Sequence, residues 1–198
     1  MPRLAVNLAA LIIAFSGLSL PSHAQQDKSK RSSPPATATC KFADGKTLTV
    51  DYSSPRMKGR KIFGGLVPYG QVWRAGANEA TTFVTTADLM VGDKKVPAGS
   101  YTLFVVPNED KWTLIISKKT GEWGEPYPGE ADDFARVDMK VFKAGEPVEN
   151  FTIKIVGGSH VQFSRGSSVE FSSQIAMTYA MSMEWETTSA VVGISEIN

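Results

Sequence analysis

Apolar residues recur at every second position along most of this chain, and that periodicity confines it to β-structure. Leu48, Val50 and Tyr52 share one face of a short run. Ala135, Val137, Met139 and Val141 face one way, while Arg136, Asp138 and Lys140 face the other. Phe151, Ile153 and Ile155 oppose Thr152 and Lys154. The longest case sets Ile175, Met177, Tyr179, Met181, Met183 and Trp185 against Ala176, Thr178, Ala180, Ser182, Glu184 and Glu186. Such alternation marks half-buried strands of an antiparallel sheet. Two stretches, YTLFVV at 101–106 and WTLII at 112–116, are apolar on both faces and predict central strands covered on both sides. The turn-rich residues 107–111 between them predict a hairpin, and Gly92-Asp93-Lys94-Lys95 predicts another tight turn. Short strands are predicted at 169–171 and 191–194, and no segment carries a convincing helical period. The expected fold is therefore all-β, an antiparallel β-sandwich or jelly-roll-like domain. Two irregular stretches interrupt it, at 53–80 and 120–133; long loops of this kind often carry function.

The N-terminus has a different character. Arg3 is the only charge before Asp27, Leu8 to Phe15 is unbroken apolar sequence, and Ser22-His23-Ala24 places small residues where a signal peptidase reads them. This pattern predicts a secretory signal over 1–24, removed after Ala24. The apolar stretch is shorter than a spanning helix requires and is interrupted by Asn7, Ser16, Gly17 and Ser19. Residues 25–38, polar and rich in Ser, Lys and Pro, read as a flexible linker, with the folded domain at 39–198. The mature protein is expected in the periplasm or outside the cell, with no membrane span after cleavage.

Charge and ligand arithmetic exclude several functions. Loss of Arg3 leaves equal numbers of basic and acidic residues, so no global field attracts nucleic acid. Cys40 is the single cysteine, so no internal disulfide forms, and in a strand-like run it reads as structural. After cleavage His160 is the single histidine. Zinc sites built on two or three Cys or His ligands are then ruled out within one chain, and neither a metal nor a cofactor is expected. A histidine-based triad would have to use His160, which lacks a nucleophile elbow and reads as a turn residue.

The loop 53–80 carries the densest chemistry. Arg56, Lys58, Arg60 and Lys61 cluster within six residues, either as an anion-binding edge or as a solvated basic loop pairing with Glu130, Asp132 and Asp133. Phe63, Tyr69 and Trp73 supply apolar anchors. Trp73-Arg74-Ala75-Gly76-Ala77-Asn78-Glu79 admits two readings. In one, Arg74 is an anion clamp, with Asn78 and Glu79 as orienting groups or a carboxylate base. In the other, the segment is a buried latch, with Arg74 paired to Glu79 and Asn78 capping a turn. Glu79, Glu109, Asp110, Glu122 and Glu125 all occupy loop-like segments, which keeps paired-acid glycosidase chemistry open. Trp123 and Tyr127 are either a sugar-stacking platform or pins that hold their loop to the core.

Long blocks of the chain carry a resemblance. They are VDYSSPRMKGRKIFGGLVPYGQVWRAGANEATTF, PAGSYTLFVVPNEDKWTLIISKKTGEWG, ARVDMKV, VENFTIKI and MEWETTSA. Together they resemble the secreted bacterial family catalogued as domain of unknown function 2911. The resemblance implies an exported bacterial protein and no particular reaction. Arg56, Lys58, Arg60, Lys61, Trp73, Arg74, Asn78 and Glu79 match its pattern, while the segment 156–179 is longer than the family's Gly-rich link and suggests an extra hairpin or an insertion. The function expected from sequence is an exported ligand-binding or interaction domain using Arg56, Arg60, Lys61, Trp73, Arg74, Asn78 and Glu79 toward a ligand or envelope partner. The alternative is a cell-envelope hydrolase acting through a carboxylate pair on a carbohydrate-type substrate.

Overall fold

The computed structural model describes residues 27–157, 161–163, 167–169 and 179–197. The expected signal at 1–24 and His160 lie outside the described residues. The strands are β1 Pro35–Lys41, β2 Thr47–Ser53, β3 Thr81–Thr85, β4 Leu89–Val91, β5 Lys94–Val96, β6 Gly99–Val106, β7 Lys111–Ser117, β8 Asp133–Gly157, β9 Val161–Phe163, β10 Ser167–Val169 and β11 Tyr179–Glu196. Among the described residues there is no α-helix, only single 3-10 turns at Lys28–Lys30 and Glu130–Asp132, and no helix is long and apolar enough to cross a membrane.

Nine strands form one antiparallel sheet in the order β1-β2-β3-β6-β7-β8-β11-β4-β5. The all-β, antiparallel expectation holds, and its layers belong to one sheet that curls on itself. The two long strands make the curl. β11 pairs through Tyr179–Glu186 with the far half of β8 and through Thr188–Val191 with the near half; register shifts intervene, and Glu186 there has φ 54°. A bulge of this kind bends its strand and sharpens the twist. The far half of β8 then meets the chain leaving β2: Phe151 N–H donates to Pro55 O at 2.9 Å and Met57 N–H to Glu149 O at 2.7 Å. The strand expected at 191–194 is the end of β11. The long segment before β11 includes the antiparallel pair β9–β10.

Alternation places the core. Leu48, Val50 and Tyr52 of β2, Val137 and Met139 of β8, and Met181, Met183 and Trp185 of β11 point inward and are buried. Each buried side chain of this size contributes roughly 1.5–3 kcal/mol. β6 and β7 are covered on both faces, as their sequence predicts. Leu103, Val105, Leu114 and Ile116 enter the main core, while Phe104 and Ile115 lie outside it under Ala80, Val72 and Tyr127. The two irregular stretches therefore meet over the outer face of β6, and this junction positions the site.

The lead-in is more ordered than a flexible linker. β1 begins at Pro35, inside the stretch expected to be linker, and pairs with β2 from Pro35↔Ser53 onward. Cys40 sits half-buried on β1 against the core, and burial pushes its thiol pKa up, which keeps it protonated.

Candidate functional site

Loop 53–80 is fixed at several points. Trp73 forms an isolated antiparallel bridge with Val105, each N–H donating to the other's carbonyl at 2.8 Å, which anchors the loop to β6. Beyond it the backbone doubles back tightly. Ala75 and Asn78 take left-handed φ values of 50° and 57°, uncommon for residues with a Cβ. Thr81 Oγ1 donates to Ala75 O at 2.8 Å and Ala77 N–H to Ser53 O at 3.3 Å, contacts that hold the turn. Gly76 relieves crowding there, because a Cβ would stand 3.0 Å from Ser53 O and 3.2 Å from Thr81 Oγ1. Strained residues held by their surroundings concentrate at functional positions.

The turn sets an indole pair at the loop's base. The Trp73 ring stacks on Trp185 of β11, with centroids 5.8 Å apart and planes at 20°. Phe151 meets Trp73 edge-on at 4.9 Å, and Phe63 packs against Trp73, Trp112 and Trp185. Tyr69, expected to be an anchor as well, is 38% exposed and lays its ring against Gly64 within the loop.

A cavity of about 370 Å³ opens beside this pair, lined among others by Arg60, Gln71, Trp73, Arg74, Glu125 and Trp185. Its size falls within the range of small-molecule sites. Arg74 is the unusual member. Its side chain is 16% exposed, and its Nε and Nη1 are buried without a hydrogen-bond acceptor. Nη1 lies 3.3 Å from Glu125 Oε2, within ion-pair range but not aligned as a hydrogen bond, and the Glu125 side chain is 69% exposed. Among the described residues no other charged side chain has a buried, unpartnered nitrogen or oxygen. Gly124 brings the Glu125 loop onto Arg74: its φ is +88°, and a Cβ there would come within 2.9 Å of Arg74 Cβ and Ala80 Cβ.

The expected latch between Arg74 and Glu79 does not form. Glu79 is held instead by the lead-in: Arg31 Nη1 donates to Oε1 at 2.9 Å and to Oε2 at 2.8 Å, and Lys28 Nζ stands 3.0 Å from Oε1. Asn78 does not cap its own turn; its Nδ2 donates to Ser33 O at 3.0 Å. The hydrogen bonds from Arg31 hold the Glu79 carboxyl at about 2, well below its ordinary 4.5. Such a carboxylate is ionised at neutral pH, cannot act there as a general acid and is a weak base. Glu79 also lines a second cavity of about 330 Å³, together with Asp51, Glu122 and Lys28.

The basic cluster does not pair with the acidic run either, because Arg136 binds Glu130 and Asp133. Among the described residues Arg56, Arg60 and Lys61 form no ion pair. Arg60 Nε donates to Met57 O at 3.0 Å and Nη2 to Arg56 O at 2.7 Å, which holds it at the cavity, while Arg56 lies opposite Asn150 and Lys61 is exposed. Tyr127 is a pin: it packs edge-on against Phe104 at 5.1 Å, and its hydroxyl donates to Asp133. Burial and that bond raise its pKa to about 12. Trp123, 54% exposed, is not a pin. Among the described residues no group of three or more His, Cys, Asp and Glu is placed to hold a metal ion.

The family described as "Protein of unknown function (DUF2911)" matches residues 33–194. The chain belongs to this family. No curated protein and no solved structure matches it significantly. The span matched to DUF2911 begins at Ser33, which holds Asn78, and contains every residue lining the Trp73–Arg74 cavity, whereas Arg31 and Lys28 lie before it. Of the residues singled out from sequence, the cavity gathers Arg60, Trp73, Arg74 and the loop acid Glu125. The sequence alone does not single out Trp185, one more inward residue of a strand, or Arg31, one charge in a polar lead-in.

Proposed function

We propose that this DUF2911 domain is a binding module that takes a small molecule into the Trp73–Arg74 cavity and works outside the cytoplasm after removal of residues 1–24. One observation carries the binding reading: a ligand-sized cavity joins a stacked indole pair to a buried guanidinium with unpartnered donors. The lining is mainly polar: Arg60, Gln71, Arg74 and Glu125 converge beside the Trp73 indole, and convergent polar groups are what orient a ligand in its site. Export rests on the leader pattern of the sequence.

Nuclear magnetic resonance of the tryptophan indole N–H groups tests binding. Titration with small aromatic probes is expected to move the Trp73 and Trp185 signals and leave exposed Trp123 in place. Movement of Trp123 alone, or of no indole, contradicts the reading. Mass spectrometry of protein recovered from producing cells tests export: the expected product starts at Gln25, and retention of Met1 contradicts it.

The hydrolase reading has weaker support. It would place Glu79 and Glu122 together at the second cavity, with Glu122 as the acid because Glu79 is ionised.

A further inference from the structure

The polar groups at the Trp73–Arg74 cavity are unequally satisfied. Trp73 Nε1 donates to Gly76 O at 3.0 Å and Trp185 Nε1 to Glu149 O at 3.1 Å, so both indole donors are satisfied within the fold. Arg74 is not. A guanidinium offers five donors in a planar fork and accepts nothing, and a buried donor without an acceptor weighs against the folded state. Here Nε and Nη1 are both in that position.

The protein also shows a closely bonded arginine–carboxylate pair. Arg31 Nη1 donates to both oxygens of Glu79, at 2.8 and 2.9 Å, the short geometry of strong charge-assisted bonds. Glu125 touches Arg74 with one oxygen, off-axis, at 3.3 Å, and keeps most of its surface in water. It neutralises Arg74 without occupying the donors that a carboxylate binds best.

We propose that Arg74 is the receptor for the carboxylate of a small organic acid with a planar apolar body, and that Glu125 is the internal counter-ion this ligand displaces. The proposal rests on the cavity being a binding site, and it names what the site binds. Arg60 lines the same cavity, which sets two guanidiniums against one carboxylate and leaves room in the charge balance for a further anion. Trp73, half-buried at the cavity and backed by the buried Trp185, supplies an aromatic surface for the body of the ligand. Displacement of Glu125 is easy, because its side chain is already mostly solvated. The resident partner is itself a singly charged carboxylate, which favours a carboxylate over a doubly charged phosphate.

The test compares benzoate, its neutral counterpart benzamide and inorganic phosphate on the full-length protein, with the Trp73 and Trp185 indole signals as readout. Benzoate is expected to bind about tenfold more tightly than benzamide, the worth of a hydrogen-bonded charge at a buried site. Glu125→Gln is expected to tighten benzoate about threefold, as removal of a screened competing ion pair does, and to widen its preference over benzamide. Arg74→Met is expected to abolish the preference for benzoate while benzamide still binds and the spectrum stays dispersed. Equal affinity for benzoate and benzamide overturns the proposal and leaves the cavity reading standing. So does an unaltered benzoate affinity in Glu125→Gln. Phosphate binding in preference to benzoate overturns the carboxylate assignment. If neither aromatic probe moves an indole, the binding reading fails and takes this inference with it.

Discussion

Two glutamates stand beside arginines in this protein, and their unequal bonding separates structure from function at the scale of single residues. Glu79 is bound by both oxygens and titrates at about 2 in the fold against 4.5 ordinarily. A depressed carboxylate pKa adds stability that is complete above pH 4.5 and disappears as pH falls toward 2. Its side chain is 37% exposed, and screening limits the contribution to at most about 1 kcal/mol. Glu79→Gln is therefore expected to lower urea stability by no more than that near neutral pH. The gap to the wild-type protein should close on acidification through the same window. A gap that stays constant with pH would show that the Arg31 bond is not what depresses the carboxyl. Gly124 makes the opposite kind of contact, steric and uncharged. Gly124→Ala places a Cβ 2.9 Å from Arg74 Cβ at a left-handed φ of +88°. Overpacking and backbone strain together are expected to cost about 2 kcal/mol in chemical denaturation, since neither neighbouring Cβ can yield far.

At the scale of elements, burial predicts the order of opening. β6 and β7 lie mid-sheet with both faces covered, whereas β5 is an edge strand whose Lys94 and Lys95 are exposed. Hydrogen exchange should be slowest at Leu103–Val105 and Leu114–Ile116 and fast at the unpaired edge of β5. The reverse order would contradict the double covering. These elements were legible in the sequence because alternation is local: Leu48, Val50 and Tyr52 declare their face within five residues. The all-apolar YTLFVV run declares two faces in the same way. The site was legible only in part. Trp73 and Arg74 stood out by composition, and the loop's irregularity followed from its glycines and prolines. What Arg74 and Glu79 touch did not follow, because Arg31 reaches Glu79 across 48 residues and Glu125 reaches Arg74 only after two loops meet over β6. Nothing local distinguishes Glu125 from Glu122. The order of the lead-in is hidden for a related reason: a polar Ser-, Lys- and Pro-rich stretch has the composition of a solvated linker, and its partner strand β2 is not local to it.

For the whole molecule, the question is whether the Trp73–Arg74 loop exists to hold the fold or to hold something else. The curled sheet closes through backbone bonds between Pro55, Met57 and β8 and through apolar packing, and Arg74 takes part in neither. Functional sites are commonly held at some expense of stability, and an unsatisfied buried guanidinium fits that pattern. The urea unfolding midpoint of Arg74→Met decides the matter most directly. Methionine keeps much of the apolar stem and removes the charge. The Glu125 left behind is mostly in water and loses little. A midpoint equal to or above that of the wild-type protein is the predicted result. A loss of roughly 3–5 kcal/mol, the cost of breaking a buried ion pair, would make Arg74 a structural latch and contradict the account.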